Sequence, residues 1–312
     1  MSKVIISTSS FDFDHNVAVQ YLLHEGIAVS GNPHGRKLTE DETIALLGED
    51  TVGMIAGIEP LTERVFSSAR NLKVISRCGS GLDSVDLAAA QRHGIAVLNT
   101  PEAPAQAVAE LAMGLILSAL RLICQTDRQL HEGTWPRTQG RLLAAQRVGI
   151  VGLGRVGRRV ARLCQAFEAK VVAHDSFVKE SPEGVEMVPL DKLLEEVDIV
   201  SLHLTYDADT HHLLNRNTLA SMKPGSVVVN TARGGLIDEI ALAEALTSGH
   251  IGAAALDVFE EEPYKGPLIQ CGNAILTSHI GSLARESRQR MELEAAENLI
   301  RGMVDAGQIT NR

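Results

Sequence analysis

Several features are scarce in this 312-residue chain, and each scarcity removes a class of function. The four cysteines, Cys78, Cys124, Cys164 and Cys271, lie far apart and form no C-x-x-C pair, which gives neither a zinc pattern nor a disulfide framework. No metal is expected, and the thiols read as those of a reducing compartment. Basic clusters are missing too: 29 Lys and Arg stand against 39 Asp and Glu, for a formal net charge of −10. Affinity for a phosphate backbone depends on grouped cations, so no nucleic-acid partner is expected. The longest apolar stretch, Leu111 to Leu120, is bracketed by Glu110 and Arg121 and falls short of the ~20 residues needed to cross a bilayer, so no membrane partner is expected. The N-terminal MSKVIIST lacks the long apolar core and cleavage pattern of a signal peptide, which makes the cytoplasm the expected location. No internal repeat, low-complexity segment or proline-rich linker is visible.

What is present is a regular alternation. The length exceeds one ordinary domain, and 45% hydrophobic residues are ample for two buried cores. Short β-rich apolar runs alternate with helical patterns throughout, the sequence form of a parallel sheet covered on both faces. One series of strands falls near Val4–Thr8, Ile27–Ser30, Val52–Ala56, Val74–Arg77 and Ala96–Asn99, with one helix opened by a Thr39–Glu42 capping box. A second falls near Val148–Val151, Lys170–His174, Ile199–Leu202, Val227–Asn230, Ala253–Asp257 and Ala274–Thr277. Pro101 to Cys124 reads as one long helix joining the two, and Ala284 to Ala306 as a final helix packing back on the first domain. The expected fold is α/β, with two doubly wound parallel-sheet domains. Residues 1–99 with 285–312 would form a discontinuous domain enclosing a second one, 100–284, and the cleft between them is the default ligand site.

Val148 to Ala161, VGIVGLGRVGRRVA, carries the most specific local signal: a strand runs into Gly152-Leu153-Gly154-Arg155-Val156-Gly157 and then into a helix. Gly152 would make the tight turn, Gly154 would let the backbone approach a pyrophosphate, and Gly157 would let helix pack on strand. The helix start presents free N–H groups and the positive end of its dipole to phosphate. A following strand ends in Asp175, placed to accept hydrogen bonds from an adenosine ribose and to repel a 2′-phosphate. Neither Ser176 nor Phe177 is basic, which favours NAD over NADP, and Lys179 is the nearest cation.

Three further segments sit at carboxyl ends of predicted strands, where open α/β sheets bind ligands: Asn230–Gly235, Asp257–Pro263 and Ser278–Gly281. With these motifs the chain resembles, over nearly its whole length, the D-isomer-specific 2-hydroxyacid dehydrogenases. The resemblance implies a flavodoxin-like substrate domain, a Rossmann NAD domain and a homodimer, the last also suggested by surplus apolar surface on Leu111–Leu120. It assigns catalysis to Arg233 of N-x-A-R-G-G, Glu262 of D-V-F-x-x-E-P and His279 of S-H-I-G. Glu260 and Glu261 compete with Glu262, but only Glu262 precedes Pro263 as in the family. The chemistry supports the same roles. A guanidinium can bind the carboxylate and carbonyl of a 2-oxo acid in a fork, and an imidazole can give a proton to the carbonyl oxygen as hydride arrives. A carboxylate on the imidazole would orient it and stabilise its protonated form.

By the same resemblance Asp257 would bond the nicotinamide carboxamide, Thr231 and Ala232 would line its pocket, and His203, Thr205 and Gly281 would lie beside the cofactor. In the first domain Arg77-Cys78-Gly79-Ser80-Gly81 resembles the family's loop whose backbone N–H groups hold the substrate carboxylate, with Arg77 near the substrate and glycine supplying the permissive geometry. The chain is most similar to short phosphoglycerate dehydrogenases, which implies 3-phosphoglycerate and phosphohydroxypyruvate as the substrate pair. Two departures stand out. Ala56-Gly57 replaces an Arg-Ser pair that many phosphoglycerate dehydrogenases place near the substrate phosphate, which keeps hydroxypyruvate, glyoxylate or a D-lactate type of substrate as alternatives. Thr205 stands where the family usually has proline. An NADH-responsive binding protein is the non-enzyme alternative.

Overall fold

A computed structural model of the chain describes residues 2–309 except Ser10 and Lys179, so the cation nearest Asp175 lies outside the described residues. The chain divides into two units, Met1–Pro104 with Ala284–Arg312, and Ala105–Leu283. The first junction falls five residues later than the sequence suggests, because residues 99–104 are tied to the first unit. Asn298 donates to Asn99 O, Ser287 Oγ donates to Ala103 O, and Ala103 is buried among the first unit's apolar residues.

The first unit is built on β1 (Lys3–Ile6), β2 (Ala28–Gly31), β3 (Thr51–Ala56), β4 (Val74–Arg77) and β5 (Ala96–Asn99). All pair in parallel in the order β2-β1-β3-β4-β5. Neighbouring residues on these strands face opposite sides, and both sides are apolar. Val4, Ile6, Ile55 and Val74 pack with the helices Val17–His24 and Arg285–Asp305, while Ile5, Met54 and Ile75 pack with Phe66 and Leu72. The helix Glu40–Leu46 starts with the expected capping box, Thr39 and Glu42 each satisfying the other's backbone N–H. The order reverses between β1 and β3, which makes their carboxyl ends the switch point of this sheet.

The second unit carries β6 (Arg147–Val151), β7 (Lys170–His174), β8 (Val185–Met187), β9 (Ile199–Leu202), β10 (Ser226–Asn230), β11 (Ile251–Leu256) and β12 (Ala274–Leu276). They form a parallel sheet in the order β12-β11-β10-β9-β6-β7-β8, reversing between β6 and β9. Val227 and Val229 join one apolar layer and Val228 the other, so the uninterrupted apolar run of β10 reports burial on both faces. Each such fully buried valine contributes about 1.5–3 kcal/mol relative to exposure.

The expected helix over 101–124 is two helices, Ala105–Arg121 and Ile123–His131, bent by 64° at Leu122, whose φ is +57°. The first is apolar on most of its circumference because it is a core helix. Ala109, Ala112, Ile116 and Leu120 are buried against the helix Arg155–Ala166 and the sheet, and Leu111 and Leu117 pack on the same cluster. The surplus apolar surface read from Leu111–Leu120 is therefore consumed inside this unit and gives no ground for a dimer. Among the described residues no single helix is long and apolar enough to cross a membrane.

Candidate active site

The glycine motif lies at the switch point of the second sheet. Gly152 follows β6 with φ +93°, donates to His174 O at 2.8 Å, and has no room for a side chain: a Cβ would sit 2.6 Å from His203 C and Leu204 N. Gly157 is closer still, its Cβ position only 2.0 Å from Gly152 O, so only glycine lets this helix start so near the turn. Gly154 is different. It precedes the helix Arg155–Ala166 as an N-cap without a side-chain hydrogen bond, and nothing lies within 4 Å of its Cβ position. The start of this helix is thus open at Gly154, and the positive end of its dipole stands at the turn where a pyrophosphate is expected.

Asp175 follows β7. Its Oδ2 accepts from Leu153 N at 2.7 Å, inside the glycine turn, and its Oδ1 accepts from Phe177 N at 2.8 Å and Val178 N at 3.0 Å. Burial works against its charge, yet the three backbone donors outweigh it and hold the carboxyl below the usual aspartate value. It is held as an anion beside the glycine turn, where the sequence places the expected ribose contact. Asp175→Ala is expected to cut kcat/KM for NADH about tenfold or more while NADPH turnover falls less, so the cofactor preference narrows. Parallel steady-state assays with the two cofactors check this, and an unchanged preference would remove the assignment.

Beyond β9, desolvation pushes the His203 imidazole down to about 3, so the ring stays neutral, 2.8 Å from Ser201 Oγ. Thr205 is exposed, its carbonyl accepting from Thr210 Oγ1. Thr231 is buried after β10, and among the described residues its Oγ1 has no hydrogen-bond partner. An orphaned hydroxyl there, with the open helix start and Asp175, fits a bound dinucleotide.

The three proposed catalytic side chains all stand at carboxyl ends of the second sheet. Arg233 lies three residues beyond β10. The buried Asn230 shapes its turn by accepting from Ala232 N at 3.0 Å and donating to Arg233 O at 2.8 Å, while Arg233 Nη1 donates to Ala232 O at 2.7 Å. Glu262 stands beyond β11, before a cis peptide to Pro263. Its Oε1 accepts from Phe259 N at 3.1 Å and its Oε2 lies 2.8 Å from His279 Nδ1. With Nδ1 donating to the carboxylate, His279 presents Nε2 for exchange with a ligand. The competitor Glu260 pairs instead with His212, and it is Glu262 that reaches His279, so the geometry favours Glu262.

His279 has φ +54°, rare for a residue with a side chain, and Asp257 stabilises that loop. The Asp257 side chain, at 1% exposure, accepts from Thr277 Oγ1 at 2.6 Å, Ile280 N at 2.9 Å and Gly281 N at 2.8 Å. Both of its oxygens and the Gly281 N–H are thus committed to positioning His279, a role the sequence reading missed.

In the first unit the loop after β4 is likewise placed, with Gly79 at φ +148°. Gly79 N, however, already donates to Thr100 Oγ1 at 2.8 Å, and Asn99 donates to Ser80 O. Among the described residues nothing accepts from Ser80 N or Gly81 N, which leaves those two for an anion. The Arg77 guanidinium folds over Gly79 and donates to Cys78 O.

A dinucleotide cradle, with an imidazole–carboxylate pair and an arginine at strand ends of the same sheet, defines a nicotinamide-dependent oxidoreductase. The chain belongs to the D-isomer-specific 2-hydroxyacid dehydrogenases. Residues 113–281 match the family model described as D-isomer specific 2-hydroxyacid dehydrogenase, NAD binding domain. It is 40% identical over 270 residues to a hydroxypyruvate reductase of Thermotoga maritima, covering 85% of this chain and 88% of that protein. It is 39% identical over 265 residues to a D-3-phosphoglycerate dehydrogenase of Mycobacterium bovis, covering 83% of this chain but only 50% of that longer protein. A glyoxylate reductase structure from Paecilomyes thermophila superposes with a TM-score of 0.88 at 31% identity, covering 98% of this chain and 96% of that one. NAD is the cofactor.

Proposed function

We infer that the protein interconverts a short, unphosphorylated 2-oxo acid of the hydroxypyruvate or glyoxylate type and the corresponding D-2-hydroxy acid. The observation that carries the reaction is the 2.8 Å contact between His279 and Glu262. When bound, NADH supplies the hydride for the substrate's C2. His279 Nε2 gives its proton to the carbonyl oxygen, so that C=O gains one hydride and one proton and becomes CH–OH. Glu262 holds the imidazole in the required tautomer and stabilises the cation before transfer. Arg233 binds the substrate carboxylate and polarises the carbonyl.

One fact supports an unphosphorylated acid over 3-phosphoglycerate. The carboxyl end of β3 carries Ala56-Gly57, with no cation at the Arg-Ser position of many phosphoglycerate dehydrogenases. NADH oxidation over hydroxypyruvate, glyoxylate, pyruvate and phosphohydroxypyruvate tests the reading. The highest kcat/KM is expected for one of the first two, and a preference for phosphohydroxypyruvate would refute it.

A further inference from the structure

The switch point of the first sheet holds a buried carboxyl group that the reaction does not use. Glu59, three residues beyond β3, is 1% exposed. Its Oε1 accepts from Gly57 N at 3.1 Å and from the Ser7 hydroxyl just after β1. Gly57 N also reaches Ser7 Oγ at 3.3 Å, and Ser7 N donates to Ile55 O at 2.9 Å, so one network closes the carboxyl ends of β1 and β3. The loop carrying Gly79 to Gly81 begins beside it, with Cys78 N donating to Ala56 O at 2.9 Å.

Strand ends at a switch point take anions when their N–H groups are unengaged. Here the N–H of Gly57 is already engaged by the chain's own carboxyl. The neighbouring residue types fit that arrangement. A Cβ on Gly57 would lie 2.9 Å from Glu59 Oε2 and 3.3 Å from Thr8 Cα, so a serine there would press on the Glu59 carboxyl and the Thr8 backbone. Arg77, the cation on the adjacent strand, turns over its own loop onto Cys78 O.

We propose that Glu59 is a selectivity residue, filling the anion position at the β1/β3 edge and thereby rejecting 2-oxo acids that carry a distal phosphate. This rests on the functional reading above. A phosphate brought to this edge meets a like charge with the Gly57 donor already taken, whereas a hydroxymethyl group or hydrogen carries no charge to repel.

The test compares kcat/KM for phosphohydroxypyruvate and hydroxypyruvate in wild type and in Glu59→Gln, which keeps the shape but removes the charge. The ratio of phosphorylated to unphosphorylated substrate is expected to rise about tenfold or more in the variant. If Glu59→Gln lowers both substrates alike, or leaves the ratio where it was, the residue is only a structural cap and the proposal fails. A wild-type experiment stands independently of the variant's folding: D-glycerate and 3-phospho-D-glycerate, which differ only in the distal phosphate, are compared as inhibitors of hydroxypyruvate reduction. Weaker inhibition by 3-phospho-D-glycerate is expected, and equal or tighter inhibition overturns the proposal. A wild type that prefers phosphohydroxypyruvate refutes the functional reading itself. A wild type that prefers hydroxypyruvate with an unmoved ratio refutes the role of Glu59 alone.

Discussion

His279→Gln is expected to lower kcat by about 10²–10⁴-fold, the usual worth of a positioned proton donor. The substitution keeps a polar side chain of similar reach but cannot hold a transferable proton. NADH affinity is expected to stay near that of wild type, because the glycine turn, the open helix start and Asp175 are built by other segments. The measurement is steady-state turnover of the best 2-oxo acid beside an NADH fluorescence titration. Turnover close to wild type would mean that another group delivers the proton. Loss of NADH binding would mean that the φ +54° loop, rather than the imidazole, is what the substitution disturbed.

Gly234→Ala is the substitution expected to damage the fold most for its size. A Cβ on Gly234 would lie 1.9 Å from Phe259 C, 2.1 Å from Phe259 O and 2.3 Å from Glu260 N. These are backbone atoms, so no rotamer change relieves the clash. The turn after β10 and the segment after β11 must separate instead. Overpacking of this kind costs on the order of 3 kcal/mol, or about 5–10 °C in Tm. Because the two segments carry Arg233 and Glu262, kcat should fall with Tm, even at temperatures where the variant remains folded. A variant with wild-type Tm and kcat would show that the two segments do not approach as closely as described.

The sheets and glycine turn were legible in the sequence because short uninterrupted apolar runs and strand–turn–helix punctuation are local signals. All eleven strand segments read from sequence correspond to β1–β7 and β9–β12, whereas β8, only Val185 to Met187, is too short to form an apolar run. The break at Leu122 was invisible, since neither glycine nor proline marks it, and apolar residues resume at Leu122 and Ile123 directly after Arg121. Glu262 and His279 were readable through motif resemblance, and their hydrogen bond follows from adjacent strand ends. The roles of Asp257 and Glu59 were not readable. A carboxyl group's commitment to particular N–H donors depends on loop coordinates, and in sequence both residues are simply acids after a strand. The junction near Pro104 was misplaced for a similar reason: the tethers from Ser287 and Asn298 come from about two hundred residues away.

The central claim is direct hydride transfer to C2 with His279 as proton partner, giving the D-hydroxy acid. NADH carrying deuterium at the transferable C4 position, incubated with the enzyme and hydroxypyruvate, tests it most directly, with the product examined by NMR and by chiral separation. The account predicts one deuterium at C2 of D-glycerate. Unlabelled product in the presence of fully labelled NADH, or label in L-glycerate, would contradict it.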